Sequence, residues 1–321
     1  MLAALFNALA FAVSLIYCDQ AFAFQVLGPH PYQIENIVVF GDSYSDVESV
    51  GDNGTAWPVY AAGYGPFSLY PFAKSGATCS NNLTNRPSPS VMASQVPLYI
   101  SEVQNGTLRL DPAKTIYSLW IGTNDVGRSA LLTGDQMPGV TLVDVIECAT
   151  SWVKILYESG ARNFLFQNMI PLEATVLYSR DSYPNLFWTF ERNTTEWNIF
   201  MTELTTSGNS LAKLMLRGLA SSFVGAHIGL FDSHSLFLDM IVSPAKYLNG
   251  TAPLNVVTPI KSCIFQLNGS TANCTTVTGT DRDSYLWFDE LHPSEQANRV
   301  VAREYSNAVL RKSDSWVTWL S

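Results

Sequence analysis

Charged residues are scarce in this sequence, and most of them are acidic. Asp, Glu, Lys and Arg make up only 14% of the 321 residues, and the formal net charge is -9. Because phosphate backbones are bound by basic faces, we expect no nucleic-acid partner. The hydrophobic content of 47% excludes a disordered chain, a collagen and a coiled coil, and it is enough for a large packed core.

Histidine and cysteine are also scarce, with four histidines and five cysteines in the chain. The sequence contains no CxxC pair, and so few histidines leave little material for a zinc site. Any catalytic histidine or cysteine must therefore be one of these few residues.

The N-terminal segment has the pattern of a secretory signal peptide. Residues 1–18 are almost wholly apolar, and the small-x-small sequence Ala21-Phe22-Ala23 follows them. The lack of a Lys or Arg before the apolar run is atypical. A membrane anchor is the alternative, but the run falls short of about 20 residues and ends at Asp19 and Gln20. We therefore predict a signal peptide over residues 1–23, a secreted protein and no stable membrane insertion.

Removal of that segment would leave four cysteines in an oxidising compartment. An even number indicates two disulfides, and four cysteines allow three pairings. Cys263 with Cys274 is the local choice, which leaves Cys79 with Cys148. N-x-[ST] sequons also fit an extracellular glycoprotein, so we expect N-glycans at some of Asn53, Asn82, Asn105, Asn193, Asn249, Asn268 and Asn273.

Strand and helix patterns alternate along the chain. Continuous apolar runs typical of buried strands lie at residues 37–40, 115–121, 163–169 and, more weakly, 229–231. Helical spacings of three and four residues run through 142–156, 197–204 and 297–309. This order predicts a mostly parallel sheet with helices on both faces, in a single catalytic domain over residues 24–321.

A serine and a histidine are the candidate catalytic residues. Ser43 follows the first strand in the sequence GDSYSD, at the edge of a parallel sheet where ligands bind. His292, in DELHP before the last helix, could accept the Ser43 proton, and Asp289 could hold its far ring nitrogen. Two alternatives stay open: Ser43 as a helix cap, and His234, with Asp232 close by, as the base.

Two further segments offer hydrogen-bond donors for an oxyanion. GTND, residues 122–125, follows the second of the apolar runs, and the Asn124 amide is a donor of the kind that stabilises tetrahedral intermediates. In KSGAT, residues 74–78, Gly76 has no Cβ and can bring its backbone N–H close to a ligand. Either residue alone would more commonly serve an ordinary turn.

Together these segments resemble the GDSL, or SGNH, hydrolase superfamily, whose marker residues are Ser, Gly, Asn and His in that order. The matching positions are Ser43, Gly76, Asn124 and His292, with Asp289 at the family's DxxH position. The departure is Tyr44, where the family name has Leu. The resemblance implies a three-layer α/β/α, flavodoxin-like fold with a five-stranded parallel sheet.

The same resemblance implies serine esterase chemistry without a metal or an organic cofactor. Ser43, His292 and Asp289 would form the triad, and the N–H groups of Ser43 and Gly76 would hold the oxyanion with the Asn124 amide. The GxSxG elbow of the α/β-hydrolase fold is absent, which argues against that other serine hydrolase fold.

Two segments are similar to secreted fungal acetyl esterases of this superfamily, which remove acetyl groups from plant cell-wall oligosaccharides. These segments are AWPVY at 56–60 and AKSGATCSNN at 73–82. The resemblance implies an acetylated oligosaccharide, or another small ester, as the substrate. Trp57, Tyr60 and Tyr64 are candidates for a sugar-facing groove beside Ser43, and burial in the core is the alternative for each.

Three other functions are alternatives to an acetyl esterase. A lipase or phospholipase would act on longer acyl chains. A non-catalytic carbohydrate-binding glycoprotein would not need the serine, the base and the acid that are all present. A metal-dependent phosphoesterase could use Asp42, Asp46, Asn124 and Asp125 and would be sensitive to EDTA, although these aspartates are better suited to holding their loops.

Overall fold

The strands of the computed structural model, which describes residues 27–50 and 54–321, form a central sheet and a separate hairpin. The strands are β1 (Asn36–Gly41), β2 (Ser68–Pro71), β3 (Thr115–Trp120), β4 (Asn163–Gln167), β5 (His227–Phe231), β6 (Lys261–Phe265), β7 (Ala272–Thr276) and β8 (Val317–Trp319). The sheet has the order β2-β1-β3-β4-β5-β8, and β6 pairs with β7. The predicted signal peptide lies outside the described residues.

The helices alternate with the parallel strands. They are α1 (Trp57–Tyr64), α2 (Val96–Gln104), α3 (Thr123–Val126), α4 (Leu142–Glu158), α5 (Thr194–Ala220), α6 (Ser233–Val242) and α7 (Glu295–Val309). Shorter turns are π-helical at Val91–Gln95 and 3-10 at Pro112–Lys114, Leu172–Ala174, Pro244–Lys246 and Gly279–Ser284. No helix in the described ranges combines the length and the apolar character needed to span a bilayer.

Local sequence explains the main elements. Every residue of β3 and β4 is buried, as their continuous apolar sequences require. Helix α4 buries one face, which includes Val145 and Trp152, because its apolar residues recur at helical spacing. A capping box starts this helix, since Asp144 accepts the Thr141 N–H at 2.8 Å, and Gly160, at φ +106°, follows its end.

Aromatic side chains show that helices cover both faces of the sheet. On one face, the rings of Trp120 in β3 and Trp57 in α1 are 6.2 Å apart, and Trp57 lies 4.7 Å from Tyr305 in α7. On the other face, Trp152 of α4 lies 5.9 Å from Phe40 of β1. The three-layer α/β/α fold predicted from the sequence is confirmed. Truncation of a buried ring such as Trp152 to Ala should cost about 3–5 kcal/mol.

The strand count differs from the prediction. The sheet has six strands: β2, β1, β3, β4 and β5 are parallel, and β8 is antiparallel to β5. The strand order reverses at β1, which lies between β2 and β3, and ligands of open α/β sheets bind at such a point. Gly41 lies opposite Trp120 in the register, so the segments that follow β1 and β3 leave the sheet side by side.

Two disulfides crosslink the fold. Cys79 is joined to Cys148 in α4, and Cys263 to Cys274 across the β6–β7 hairpin, so the predicted local pairing is confirmed. Asn53 lies outside the described residues. The other sequon asparagines are exposed; they are Asn82, Asn105, Asn193, Asn249, Asn268 and Asn273.

Candidate active site

Ser43, His292 and Asp289 lie in hydrogen-bonding contact at the carboxyl edge of the sheet. Ser43 Oγ is 2.9 Å from His292 Nε2, although the two residues are 249 positions apart in the chain. His292 Nδ1 lies 3.0 Å and 2.9 Å from the two Asp289 carboxylate oxygens. This order of groups is the one that a serine nucleophile, its base and an orienting carboxylate require.

The turn before α7 holds the Asp289 carboxylate in place. Its Oδ1 accepts the backbone N–H groups of Leu291 and His292 at 2.8 Å and 2.7 Å. Burial favours the neutral acid, but the charge and hydrogen bonds of His292 outweigh burial and hold the pKa of Asp289 below its ordinary value. Asp289 therefore stays ionised and can stabilise an imidazolium.

Tyr44, where the sequence departs from GDSL, connects the two ends of the site. Its buried hydroxyl donates to the Leu291 carbonyl at 3.0 Å, and its ring lies edge-on to His292 at 5.8 Å. Burial raises the pKa of this hydroxyl well above its ordinary value, so it remains a donor. Tyr44 thus ties the loop after β1 to the turn that carries the histidine.

Three residues that line the same cleft, Ser43, Gly76 and Asn124, offer N–H donors. The backbone N–H groups of Ser43 and Gly76 have no acceptor in residues 27–50 and 54–321. Gly76 has φ +77°, and a Cβ there would lie 2.4 Å from Ser88 Oγ, so the position requires glycine. The Asn124 amide donates one hydrogen to the Ala77 carbonyl at 2.9 Å, which leaves its second N–H for a ligand.

Arg86, which sequence reasoning missed, fixes the Asn124 amide. Its Nη1 donates to Asn124 Oδ1 at 3.1 Å, and its Nη2 donates to the Arg128 carbonyl at 2.6 Å. Because Asn124 Oδ1 accepts from Arg86, the amide nitrogen must face the other way. Arg86 lies in a turn-rich stretch without a recognisable motif, so only the folded arrangement identifies it.

Buried carboxylates lie next to Ser43 and Asn124 in the chain. Burial raises the pKa of Asp42 to about 7 and that of Asp125 to about 6. Asp42 accepts the Tyr44 N–H at 3.0 Å, and Asp125 accepts the Cys79 N–H at 2.8 Å. Asp46 accepts three backbone N–H groups. All three aspartates hold loops together, as the sequence analysis expected.

An open cleft of about 290 Å³ gives access to Ser43. Its lining is Ser43, Ser49, Ser75, Gly76, Arg86, Thr123, Asn124, Arg128, Tyr178, Phe187, Leu291 and His292. Phe187 forms one wall, with its ring 5.7 Å from that of His292. Phe187 belongs to an irregular segment, and no sequence pattern marked it as part of the site.

The aromatics expected to face a sugar do not line this cleft, and Trp57 takes the alternative of burial in the core. Trp57 is fully buried and donates from Nε1 to Ser45 Oγ at 3.1 Å. The Tyr60 hydroxyl donates to Glu295 at 2.5 Å, and Tyr64 stacks on Tyr60. None of the three lines the cleft, because α1 packs against α7 instead of facing it.

The alternative base also lies outside the cleft. Asp232 caps α6 by accepting the Ser235 N–H at 3.1 Å, and it accepts the Asn168 amide at 2.8 Å. His234 donates its backbone N–H to the Asn168 side chain. His292, and not His234, is the histidine in contact with Ser43.

The long turn-rich segment before Asp289 contains the β6–β7 hairpin, which contacts two parts of the site without lining the cleft. The Cys263 N–H donates to the buried Glu290 carboxylate at 2.8 Å, next to Asp289. The Phe265 N–H donates to the Pro184 carbonyl at 2.8 Å, three residues before Phe187. The hairpin therefore connects the turn that carries Asp289 and His292 to the segment that leads to Phe187.

A serine, a histidine and a carboxylate in hydrogen-bonding order, beside a group of N–H donors, define a site of the serine hydrolase type. The chain belongs to the GDSL-like Lipase/Acylhydrolase family, whose sequence pattern matches residues 37–305. It is a carboxylic ester hydrolase of that family.

Similar proteins include two fungal acetylesterases. The acetylesterase of Hypocrea jecorina is 30% identical over 338 residues, covering 91% of this chain and 94% of that protein. The acetylesterase of Thermothelomyces thermophilus is 22% identical over 248 residues, covering 74% and 68% respectively. Among solved structures, a catalytic mutant of an acetylxylan esterase from Geobacillus stearothermophilus has 14% identity and a TM-score of 0.46, covering 88% of this chain and 95% of that one.

Proposed function

We propose that this protein is a secreted acetylesterase that removes acetyl groups from plant cell-wall oligosaccharides. The observation that carries the chemistry is the hydrogen-bonded line from Ser43 through His292 to Asp289. The acetyl group is supported by the Hypocrea jecorina relative, which is named an acetylesterase and aligns with nearly the whole chain.

The first step is acyl transfer to Ser43. His292 Nε2 takes the hydroxyl proton as Oγ attacks the ester carbonyl, and Asp289 stabilises the imidazolium through Nδ1. The carbonyl oxygen becomes an oxyanion, which is held by the N–H groups of Ser43 and Gly76 and by the free N–H of Asn124. His292 then returns its proton to the alcohol oxygen, and the alcohol leaves.

The second step releases the acid. Water occupies the place of the alcohol, His292 removes a proton from it, and the resulting hydroxide attacks the acyl carbon. The same three donors hold the second oxyanion. Collapse of this intermediate breaks the bond to Ser43 Oγ, which recovers its proton from His292, and acetate leaves.

A small acyl group suits the dimensions of the cleft. Its volume of about 290 Å³ lies at the lower limit of small-molecule sites, which span roughly 300–1,000 Å³. Part of that space must hold the sugar that carries the ester. Little of the cleft volume then remains for a long acyl chain. The size of the cleft therefore favours acetyl as the acyl group of the substrate.

Secretion is supported by two features outside the active site. Two disulfides are typical of proteins from an oxidising compartment. The exposed sequon asparagines, among them Asn82 and Asn105, are open to glycosylation. Together with the apolar N-terminal segment, these features favour export of the protein.

Hydrolysis of 4-nitrophenyl acetate and 4-nitrophenyl octanoate would test the proposal, with Ser43→Ala as the inactive control. We expect a strong preference for the acetate ester and loss of activity in the variant. Acetate release from acetylated xylo-oligosaccharides, measured enzymatically, would then test the alcohol part of the substrate.

Other outcomes would contradict the proposal. A preference for octanoate would indicate a lipase-like enzyme. Full activity in Ser43→Ala would exclude this serine as the nucleophile. No activity on either ester, with retained binding of oligosaccharides, would indicate a non-catalytic carbohydrate-binding protein.

A further inference from the structure

The charged side chains that line the cleft are basic. Arg86 and Arg128 both contribute to the lining, which includes no Asp or Glu. The chain as a whole has the opposite character, with 27 acidic residues against 18 basic ones. Two arginines in the lining of the cleft beside Ser43 therefore call for a specific explanation.

The two arginines differ in what their guanidinium groups bind. Arg86 is committed to Asn124 and to a backbone carbonyl. The half-buried guanidinium of Arg128 lies 5.7 Å from the centre of the Phe187 ring. Within the described residues, no carboxylate forms an ion pair with it and no atom accepts its N–H groups. Five donors of a preoriented group are thus open to a ligand.

The position of Phe187 shows which half of the substrate Arg128 would meet. The Phe187 ring contacts both the Arg128 guanidinium and the His292 ring, each at 5.7 Å. His292 must return its proton to the leaving alcohol, so the alcohol has to lie beside this ring. Arg128 therefore borders the alcohol side of the cleft.

We propose that Arg128 binds a carboxylate on the alcohol part of the substrate, so that the enzyme favours acetyl esters of acidic, uronic-acid-containing oligosaccharides. The proposal rests on the esterase function given above. A guanidinium binds a carboxylate through two parallel hydrogen bonds, which a neutral sugar cannot reproduce. The Phe187 ring holds the guanidinium by a cation–π contact and lowers the entropy lost when the carboxylate binds.

Two small esters of the same shape would test the charge preference directly. The probes are 4-acetoxybenzoate, which carries a carboxylate, and 4-acetoxybenzamide, which is neutral. We expect kcat/KM to be about tenfold higher for the acid, mainly through KM, in line with one charge-assisted hydrogen-bonded pair. In Arg128→Gln the ratio of the two kcat/KM values should fall to near one. Arg109→Gln, which removes an exposed arginine that is not part of the cleft lining, should keep the wild-type ratio.

Binding to Ser43→Ala gives a readout that is independent of turnover. Calorimetry with the same two probes should show that Ser43→Ala binds the acid more tightly than the amide. In the double variant Ser43→Ala/Arg128→Gln, the two probes should bind equally. Equal kcat/KM for the two probes in the wild type, or an unchanged ratio in Arg128→Gln, would overturn the proposal. Absence of hydrolysis of 4-nitrophenyl acetate would instead overturn the esterase function, so the two failures are distinguishable.

Discussion

Arg86 Nη1 and Asn124 Oδ1 are 3.1 Å apart, so a half-buried cation holds an amide in the cleft that Ser43 also lines. The same guanidinium is anchored to the Arg128 carbonyl. An amide whose oxygen accepts from a cation is also a stronger donor through its nitrogen. Arg86 thus fixes the orientation of the Asn124 amide, and under the proposed function it is a positioning residue that would act on the oxyanion through Asn124.

Replacement of Arg86 by Met should lower kcat by about 10- to 100-fold and change KM much less, because the affected interaction is made in the transition state. The decisive measurement is a double-mutant cycle with Asn124→Ala. If Arg86 acts through Asn124, Arg86→Met should lower kcat only slightly further when Asn124 is already replaced by Ala. Fully additive losses would contradict this role. Thermal unfolding of each variant would show that it remains folded.

Asp289→Asn should reduce kcat by roughly 10³- to 10⁴-fold. The new amide could still accept the N–H groups of Leu291 and His292 through its oxygen. Its NH₂ group would then face His292 Nδ1 and favour the tautomer with the proton on Nε2, which cannot accept the Ser43 proton. Steady-state kinetics with 4-nitrophenyl acetate measure the loss. His234→Ala is the matched control, and a comparable loss in that variant would contradict the assignment of His292 as the base.

The buried Asp42 should make the enzyme more stable in mild acid than at neutral pH. Its pKa is about 7 in the fold, against about 4 in an unfolded chain. Between these two values the folded state binds more protons than the unfolded state, so the free energy of unfolding falls as the pH rises through this window. Asp125, with a pKa of about 6, adds to the same trend.

Asp42→Asn should therefore flatten the decline in stability between about pH 4 and pH 7, by an amount on the order of 2–4 kcal/mol. Urea unfolding at several pH values would measure the change. Asp181→Asn, which removes an exposed carboxylate, is the control and should follow the wild-type curve. Identical pH dependence in wild type and Asp42→Asn would show that Asp42 does not cause the decline.

The two disulfides should differ in their effects on activity. Loss of the Cys79–Cys148 bond opens a loop of 69 residues and should cost about 4 kcal/mol, whereas loss of the 11-residue Cys263–Cys274 loop should cost about 3 kcal/mol. Paired alanine variants, followed by urea unfolding and kinetics, test both values. Replacement of Cys79 and Cys148 should lower kcat, because the Cys79 N–H donates to Asp125, the neighbour of Asn124 in the chain. Replacement of Cys263 and Cys274 should raise KM instead. Equal effects of the two replacements on kcat and KM would contradict this difference between the disulfides.

The sequence predicted the parts of the fold that follow local patterns. β1, β3 and β4 have continuous apolar runs, and α4 and α7 have helical spacing, so all five were recognised. β2 was missed because it is a short, largely exposed edge strand with proline at its end, and β8 because three residues give no periodicity.

Within the site, the sequence predicted the residues that lie in recognisable motifs. It did not predict the residues that only tertiary packing brings to the cleft. Ser43, Gly76, Asn124 and His292 each lie in a short motif. Arg86, Arg128 and Phe187 carry no such motif, and tertiary packing alone brings them to the cleft. The burial of Trp57 stayed an alternative for the same reason, because the sequence of α1 does not show that this ring packs against α7.

The β6–β7 hairpin is a separate two-stranded unit that braces the site from outside the cleft. It is closed by its own disulfide, and it contacts both the Glu290 carboxylate and the segment that leads to Phe187. Ser43, Gly76 and Asn124 belong to other loops, which follow β1, β2 and β3. A related chain with a different hairpin would therefore change the support of the segment that leads to Phe187 while keeping these three loops. The hairpin is the natural module to exchange when enzymes of this type are engineered for other sugars.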